Sequence, residues 1–287
     1  MFRISDLTVA IKRNQQVVLR GVNFEILSGE TLVLKGKNGS GKSTLLGAIM
    51  GDPRYEILGG EIEFLGEKIQ NLSTEGRSLL GMFLSFQTPP EINGVSTTEI
   101  IRTGLTGRGE KVRLDEVRSG LMANQKLLGL PMFFMERECG VGMSGGEKKK
   151  NEILQMLALK PKFCMLDELD SGLDTESAGK ISQILADYKK ETGASFLITS
   201  HNSRILEKLK VDKVVELVGG GLVVVENVRG DERLERVLEN ERGDEKSARV
   251  LDERGAMDES SVMDERSAKD ERGVMGERDM NDERGVK

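Results

Sequence analysis

Apolar residues alternate or cluster over Phe2–Ile11 and Val17–Ile26, on either side of the turn-prone stretch Lys12–Gln16. That pattern predicts two antiparallel strands. Ser28–Glu30 turns the chain into Thr31–Leu34, a short apolar strand that runs straight into a glycine-rich loop. Ser43–Met50 then has helical spacing, Gly59–Ile69 reads as a hairpin, and Leu79–Ser85 as a buried strand. Later segments alternate: helix over Glu147–Leu159, strand Phe163–Leu166, helix Glu176–Lys190, strand Ser195–Thr199, helix Ser203–Leu209, then strands Val211–Val218 and Gly221–Glu226. Strands alternating with helices around a glycine-rich loop predict an α/β domain with a mostly parallel, covered core sheet and an antiparallel β subdomain.

Between about Ser96 and Glu138 the texture differs. Thr97–Leu105 and Val117–Leu128 have helical spacing, separated by the Gly/Arg-rich Gly104–Lys111. This predicts a small helical subdomain at about residues 88–146 within a domain spanning 1–228. From Asp252 the chain repeats every six residues (DERGAM, DESSVM, DERSAK and on). A six-residue step turns a helix by roughly 240°, so the Val and Met positions spread over three faces and form no stripe. Residues 229–287 are therefore expected to be a charged, low-complexity, disordered tail.

Charge follows the same division. The net charge of −6 resides in residues 229–287, with 19 acidic against 13 basic side chains, while residues 1–228 carry 29 of each. A folded part with no basic excess argues against nucleic acid as a partner. No apolar run approaches the ~20 residues of a membrane helix, so no direct membrane insertion is expected. The chain passes from Met1 into a strand-like segment without the pattern of a targeting peptide. Two cysteines in unlike contexts, Cys139 and Cys164, suggest no disulfide framework, which fits a reducing compartment. The expected location is the cytoplasm, or an organelle stroma if the protein is organelle-encoded.

Candidate chemistry sits where strands end. Gly36–Thr44 reads GKNGSGKST, a phosphate-binding P-loop placed between a strand and a helix. Gly36, Asn38, Gly39, Ser40, Gly41 and Thr44 shape a backbone cradle for the phosphates of ATP, aided by the helix N-terminus. Lys42 would reach the β- and γ-phosphates, and Ser43 would ligate Mg²⁺. The strand Phe163–Leu166 delivers Asp167 and Glu168 to its carboxyl end. Asp167 suits holding Mg²⁺, and Glu168 suits acting as general base on water. Gln87, following a strand, would reach both Mg²⁺ and that water. His201, the chain's one histidine, would hydrogen-bond the γ-phosphate.

Met143–Glu147 reads MSGGE ahead of a helix. Ser144, Gly145 and Gly146 would form a second anion site. Because the P-loop already occupies one side of the nucleotide, that site is expected to contact ATP held by a second copy, giving a head-to-tail homodimer with two sandwiched nucleotides. Asp174 is expected along the same seam.

At these residues the chain resembles the ABC ATPase superfamily and, more narrowly, the ATPases of the SUF iron–sulfur cluster assembly system. The narrower resemblance rests on FQTPPEINGVS (Phe86–Ser96), GVGMSGGEKKKNEILQM (Gly140–Met156) and LDELDSGLD (Leu166–Asp174), and it covers residues 1 to about 226. It implies an ATPase that dimerises on ATP and drives conformational change in SufB- and SufD-like scaffold proteins, with the segment after Gln87 gripping the partner. The shared alternative is the nucleotide-binding subunit of a membrane transporter; a module that binds ATP without hydrolysing it is a third. The chain departs from the family at Lys150 in place of arginine, at Asn202 in place of an aromatic, and near Val9–Ile11, where no aromatic offers itself to adenine. Two readings stand for the lysines of the helix opening at Glu147: a solvated helical face, or a pairing with Glu168 in the free monomer, Lys149 first among them, that holds the base away from water.

Overall fold

The computed structural model describes residues 1–200, 205–206 and 208–227, the last five of these by backbone alone. Two long strands, β1 (Phe2–Ile11) and β2 (Gln16–Ile26), pair antiparallel. They are followed by β3 (Thr31–Lys35), α1 (Lys42–Met50), β4 (Tyr55–Phe64) and β5 (Glu67–Lys68). The order β2-β1-β4-β5 makes a four-stranded antiparallel sheet. The expected hairpin is thus the end of a longer strand that also pairs with β1.

Next come α2 (Thr74–Leu79), β6 (Met82–Ser85), β7 (Ile92–Ser96), α3 (Thr97–Gly107), α4 (Leu114–Leu127) and β8 (Glu138–Cys139). The strand expected over Leu79–Ser85 is shorter than its apolar run. Leu79 closes α2 and is exposed, because Ser73 caps a helical turn that the apolar pattern does not mark. Arg77 of α2 is buried and donates to the carbonyls of Ala48 and Ile49, 2.8 and 2.7 Å away, satisfying the last turn of α1.

The chain continues through α5 (Gly145–Leu159), β9 (Phe163–Asp167), α6 (Thr175–Thr192), β10 (Ser195–Thr199), β11 (Lys213–Val218) and β12 (Gly221–Asn227). The core sheet has the order β12-β11-β3-β10-β9-β6; every neighbouring pair is parallel except β11 with β12. Residues 203, 204 and 207 of the helix expected over Ser203–Leu209 lie outside the described residues, as does the whole tail, while Ile205, Leu206 and Leu209 are buried.

Both faces of this sheet are covered, which is why its strands read as unbroken apolar runs. With period two, Phe163, Met165, Leu32, Leu34 and Leu197 face a core shared with α1 and the antiparallel sheet. Cys164, Leu166, Val33, Phe196 and Ile198 face the opposite core, shared with α5, α6 and the helical insert. Phe2 stacks on Phe163 with ring centroids 4.5 Å apart, which fixes the antiparallel sheet against the parallel one. Because β3, β6, β9 and β10 run parallel, their carboxyl ends open on one edge, where ligands of open α/β sheets bind. Among the described residues no helix is long and apolar enough to cross a membrane.

Candidate functional site at the carboxyl edge of the core sheet

Between β3 and α1 the loop curls tightly. Gly36 has a φ of 145°, and a Cβ there would lie 2.6 Å from Ser40 Oγ and 2.8 Å from the Leu217 carbonyl, so no other residue fits. Gly39 and Gly41 also have positive φ. Helix α1 begins with Gly41 as N-cap and no side chain caps it, leaving its first N–H groups to be satisfied by something else. Lys42 is buried, and its Nζ folds back onto the carbonyls of Gly36 at 2.5 Å and Lys37 at 3.3 Å. Ser40 Oγ is buried without a hydrogen-bond partner among the described residues. An uncapped helix start, an orphaned buried hydroxyl and a lysine bent over the loop suit a polyphosphate.

This loop forms one wall of a cavity of about 710 Å³. Asn38, Gly39, Ser40, Gly41, Lys42, Ser43 and Thr44 line it together with Gln87 and Glu168. Ile11, Val17 and Val18 line it too, so aliphatic side chains of the antiparallel sheet stand where a base would pack.

On the facing wall, Gln87 Nε2 donates to Glu168 Oε2 at 2.8 Å. Glu168 has a φ of 44°, a left-handed backbone that is unusual for a long side chain and clusters at functional sites. Thr199 at the end of β10 holds it there: the Glu168 N–H donates to Thr199 Oγ1 at 2.9 Å and to its carbonyl at 3.1 Å. The same hydroxyl donates to Asp167 Oδ1 at 2.7 Å. Asp167 is buried, and its Oδ1 is engaged by Thr199. Sequence reasoning missed Thr199. The signal was its place opposite Asp167 in the parallel register.

The pairing of Lys149 with Glu168 is not formed. Lys149 is buried beneath the loop, donating to the Phe86 and Asp167 carbonyls and lying 3.6 Å from Glu152 Oε2. It shares the inward stripe of α5 with Glu152, Ile153 and Met156, which aims it at the core rather than the cavity. His201 lies outside the described residues.

Ser144, Gly145, Gly146 and Asp174 do not line the cavity of their own chain. Ser144 is the exposed N-cap of α5, in a capping box: its Oγ accepts from Glu147 N at 3.2 Å while Glu147 Oε2 accepts from Ser144 N at 3.0 Å. Gly145 and Gly146 pack against Gly172, whose φ is 77° and whose Cα lies 4.0 Å from a Cβ placed on Gly145. Asp174 caps α6, with Ser177 N 2.8 Å from its Oδ1 and Ser177 Oγ 3.0 Å from its Oδ2. Those hydrogen bonds hold its carboxyl below the usual range. The segment therefore brings two helix starts side by side.

Known proteins share this arrangement. The family model described as ABC transporter matches residues 19–171. The iron–sulfur cluster assembly protein SufC of Plasmodium falciparum is 41% identical over 215 residues, which is 73% of this chain and 62% of that protein. SufC of Plasmodium berghei is 38% identical over 240 residues, 82% of this chain and 66% of that protein. The chain thus spans about two thirds of the length of these two relatives. A probable ABC transporter ATP-binding protein of Streptococcus pyogenes serotype M1 is also 38% identical over 240 residues, covering 92% of that protein. Among solved structures, the ATP-binding cassette MJ0796 in a dimeric post-hydrolysis state with ADP and Pi superposes with a TM-score of 0.69 at 22% identity, over 80% of this chain and all of that one. The family match over more than half of the chain and the relatives near 40% identity agree with the cassette fold, and the chain belongs to the ABC family of ATPases.

Proposed function

We propose that this ABC ATPase is the ATP-hydrolysing subunit of an iron–sulfur cluster assembly complex, and that it acts on SufB- and SufD-like scaffold proteins rather than on a permease. The observation that carries the reading is the likeness to SufC over most of the described chain, at 41% identity. The signature Ser144–Lys149 and the segment Phe86–Ser96 agree with it. In this account ATP lies in the cavity over Gly36–Thr44, with Lys42 against its β- and γ-phosphates. Ser43, Gln87 and Asp167 would hold Mg²⁺, which when bound would supply charge stabilisation to the phosphoryl oxygens. Glu168 accepts a proton from the attacking water, and His201 steadies the γ-phosphate.

Ser144, Gly145 and Gly146 of a second copy close over the nucleotide, with Asp174 beside them. The exposure of Ser144 and Gly145 at a helix start supports that role, since these residues do not line the chain's own cavity. Closure of the two copies on ATP would move the scaffolds attached to them. The workplace would be a cytoplasm or an organelle stroma.

The likeness to probable transporter ATP-binding proteins over 92% of their length keeps one rival reading. Turnover of the full chain, measured with and without purified SufB- and SufD-like scaffold, separates the two. The proposal expects the scaffold to raise kcat. No stimulation by scaffold, with recovery of the chain on a detergent-solubilised permease, would establish the transport reading instead.

A further inference from the structure

Beneath the cavity, α5 sends two charged side chains into the core one helical turn apart. Glu152 lies against the end of β6: its Oε2 accepts from Ser85 Oγ at 2.7 Å and its Oε1 from the Phe86 N–H at 2.8 Å. Lys149 donates to the carbonyl of the same Phe86 and to the carbonyl of Asp167, 3.2 Å away. The two side chains, 2% and 7% exposed, form an ion pair at 3.6 Å. Both hydrogen-bonding groups of the Phe86 backbone are thereby held, immediately before Gln87. So is the last backbone carbonyl before Glu168.

Such a pair is a poor way to stabilise a core. Burial pushes the Glu152 carboxyl up, opposed by Lys149 and by the hydrogen bonds from Ser85 and Phe86. Apolar residues of the same volume do as well or better for stability in many proteins. What apolar residues cannot do is grip two backbone segments by their polar atoms. The Gln87–Glu168 hydrogen bond joins those same two segments on the cavity side. The pair therefore forms the floor and that hydrogen bond the roof of one small frame. The frame is carried by α5, the helix that Ser144 starts.

We infer that Lys149 and Glu152 are positioning residues for ATP hydrolysis, setting Gln87 and Glu168 relative to each other and tying both to the helix that begins at Ser144. The inference rests on the ATPase reading of the cavity above them. Movement of α5 at its exposed start would reach the frame through these two side chains, since they are its buried polar links to the backbone of both loops, beside the more exposed Lys148–Glu91 pair. Neither residue touches the cavity, so neither should alter the affinity of the P-loop for nucleotide.

The test is the pair of neutral, similarly sized changes Lys149→Met and Glu152→Gln in one full-length chain. Together they leave no uncompensated buried charge, and the glutamine still accepts from Phe86. Positioning predicts that kcat falls at least about tenfold, the scale expected when reacting groups shift by a fraction of an ångström, while KM for ATP stays within about twofold. A merely structural pair would lower the melting temperature and leave kcat alone; a folded double variant with wild-type kcat overturns the inference. If the double variant does not fold, Glu152→Gln alone decides by the same ratio of kcat to wild type. Wild-type turnover in the same assay stands as the separate check on the ATPase reading: its absence defeats that reading, whereas only the ratio bears on Lys149 and Glu152.

Discussion

Glu168 stands in a backbone conformation that costs on the order of 1 kcal/mol or more for a long side chain, and Thr199 is what keeps it there. The Thr199 hydroxyl accepts from the Glu168 N–H and donates to Asp167, so one atom orients both the candidate base and the candidate metal ligand. Thr199→Val keeps the shape and removes that atom. The expected result is a clear fall in kcat with KM for ATP little changed, together with a stability loss of about 1–3 kcal/mol from the buried groups left without a partner. Steady-state kinetics and thermal melting check it; unchanged kcat would remove Thr199 from the account. Lys42 and Ser40 make the complementary point on the other wall. One lysine bent onto its own loop and one orphaned hydroxyl are groups waiting for phosphate oxygens.

Among the elements, α5 has the most demanding task, since its start is exposed and its inner face holds the frame under the cavity. Ser144 has two roles to be told apart. As a cap it is worth about 1 kcal/mol, and aspartate caps a helix as well as serine does. As a contact for the phosphates of a second copy it must be neutral. Ser144→Asp should therefore keep the melting temperature and abolish most turnover, whereas equal turnover in both proteins would leave Ser144 with the cap alone. The same helix shows what periodicity could and could not supply. Its ends were legible to within two residues, as were those of β9, α6 and β10, because long apolar patterns fix such elements. The six-residue α2 was not legible: it contains a glycine, and its buried residue is an arginine whose burial depends on carbonyls of α1. The pairing of β7 with β8 was not legible either, since two short segments more than forty residues apart carry no local sign of meeting. Lys149 meets neither reading of its charge, solvated face or cavity pairing, because it is buried against Phe86, Asp167 and Glu152. Its place at three and four residues before Glu152 and Ile153 put it on the inward stripe, and that spacing was the available clue. The candidate site itself was legible wherever a motif ends a strand: Lys42, Gln87 and Glu168 converge on one cavity. Thr199 carried no motif and could be found only from sheet register.

At the scale of the whole molecule, the parallel sheet explains why distant motifs meet and why half of the expected machinery does not. The carboxyl ends of the parallel strands open on one edge and build a cavity wall from the P-loop, Gln87 and Glu168. Ser144–Gly146 and Asp174 stand apart from that wall, at two adjacent helix starts. In the proposed account each chain supplies one half-site at that wall and one signature surface, and two copies related by a two-fold axis would complete each other. The direct measurement is the mass in solution, by light scattering, of the full-length Glu168→Gln protein with saturating Mg-ATP. The account predicts a doubling of mass on adding nucleotide, and its loss when Ser144→Asp is introduced into the same chain. A monomer mass at nucleotide concentrations where binding is shown to be complete would contradict it.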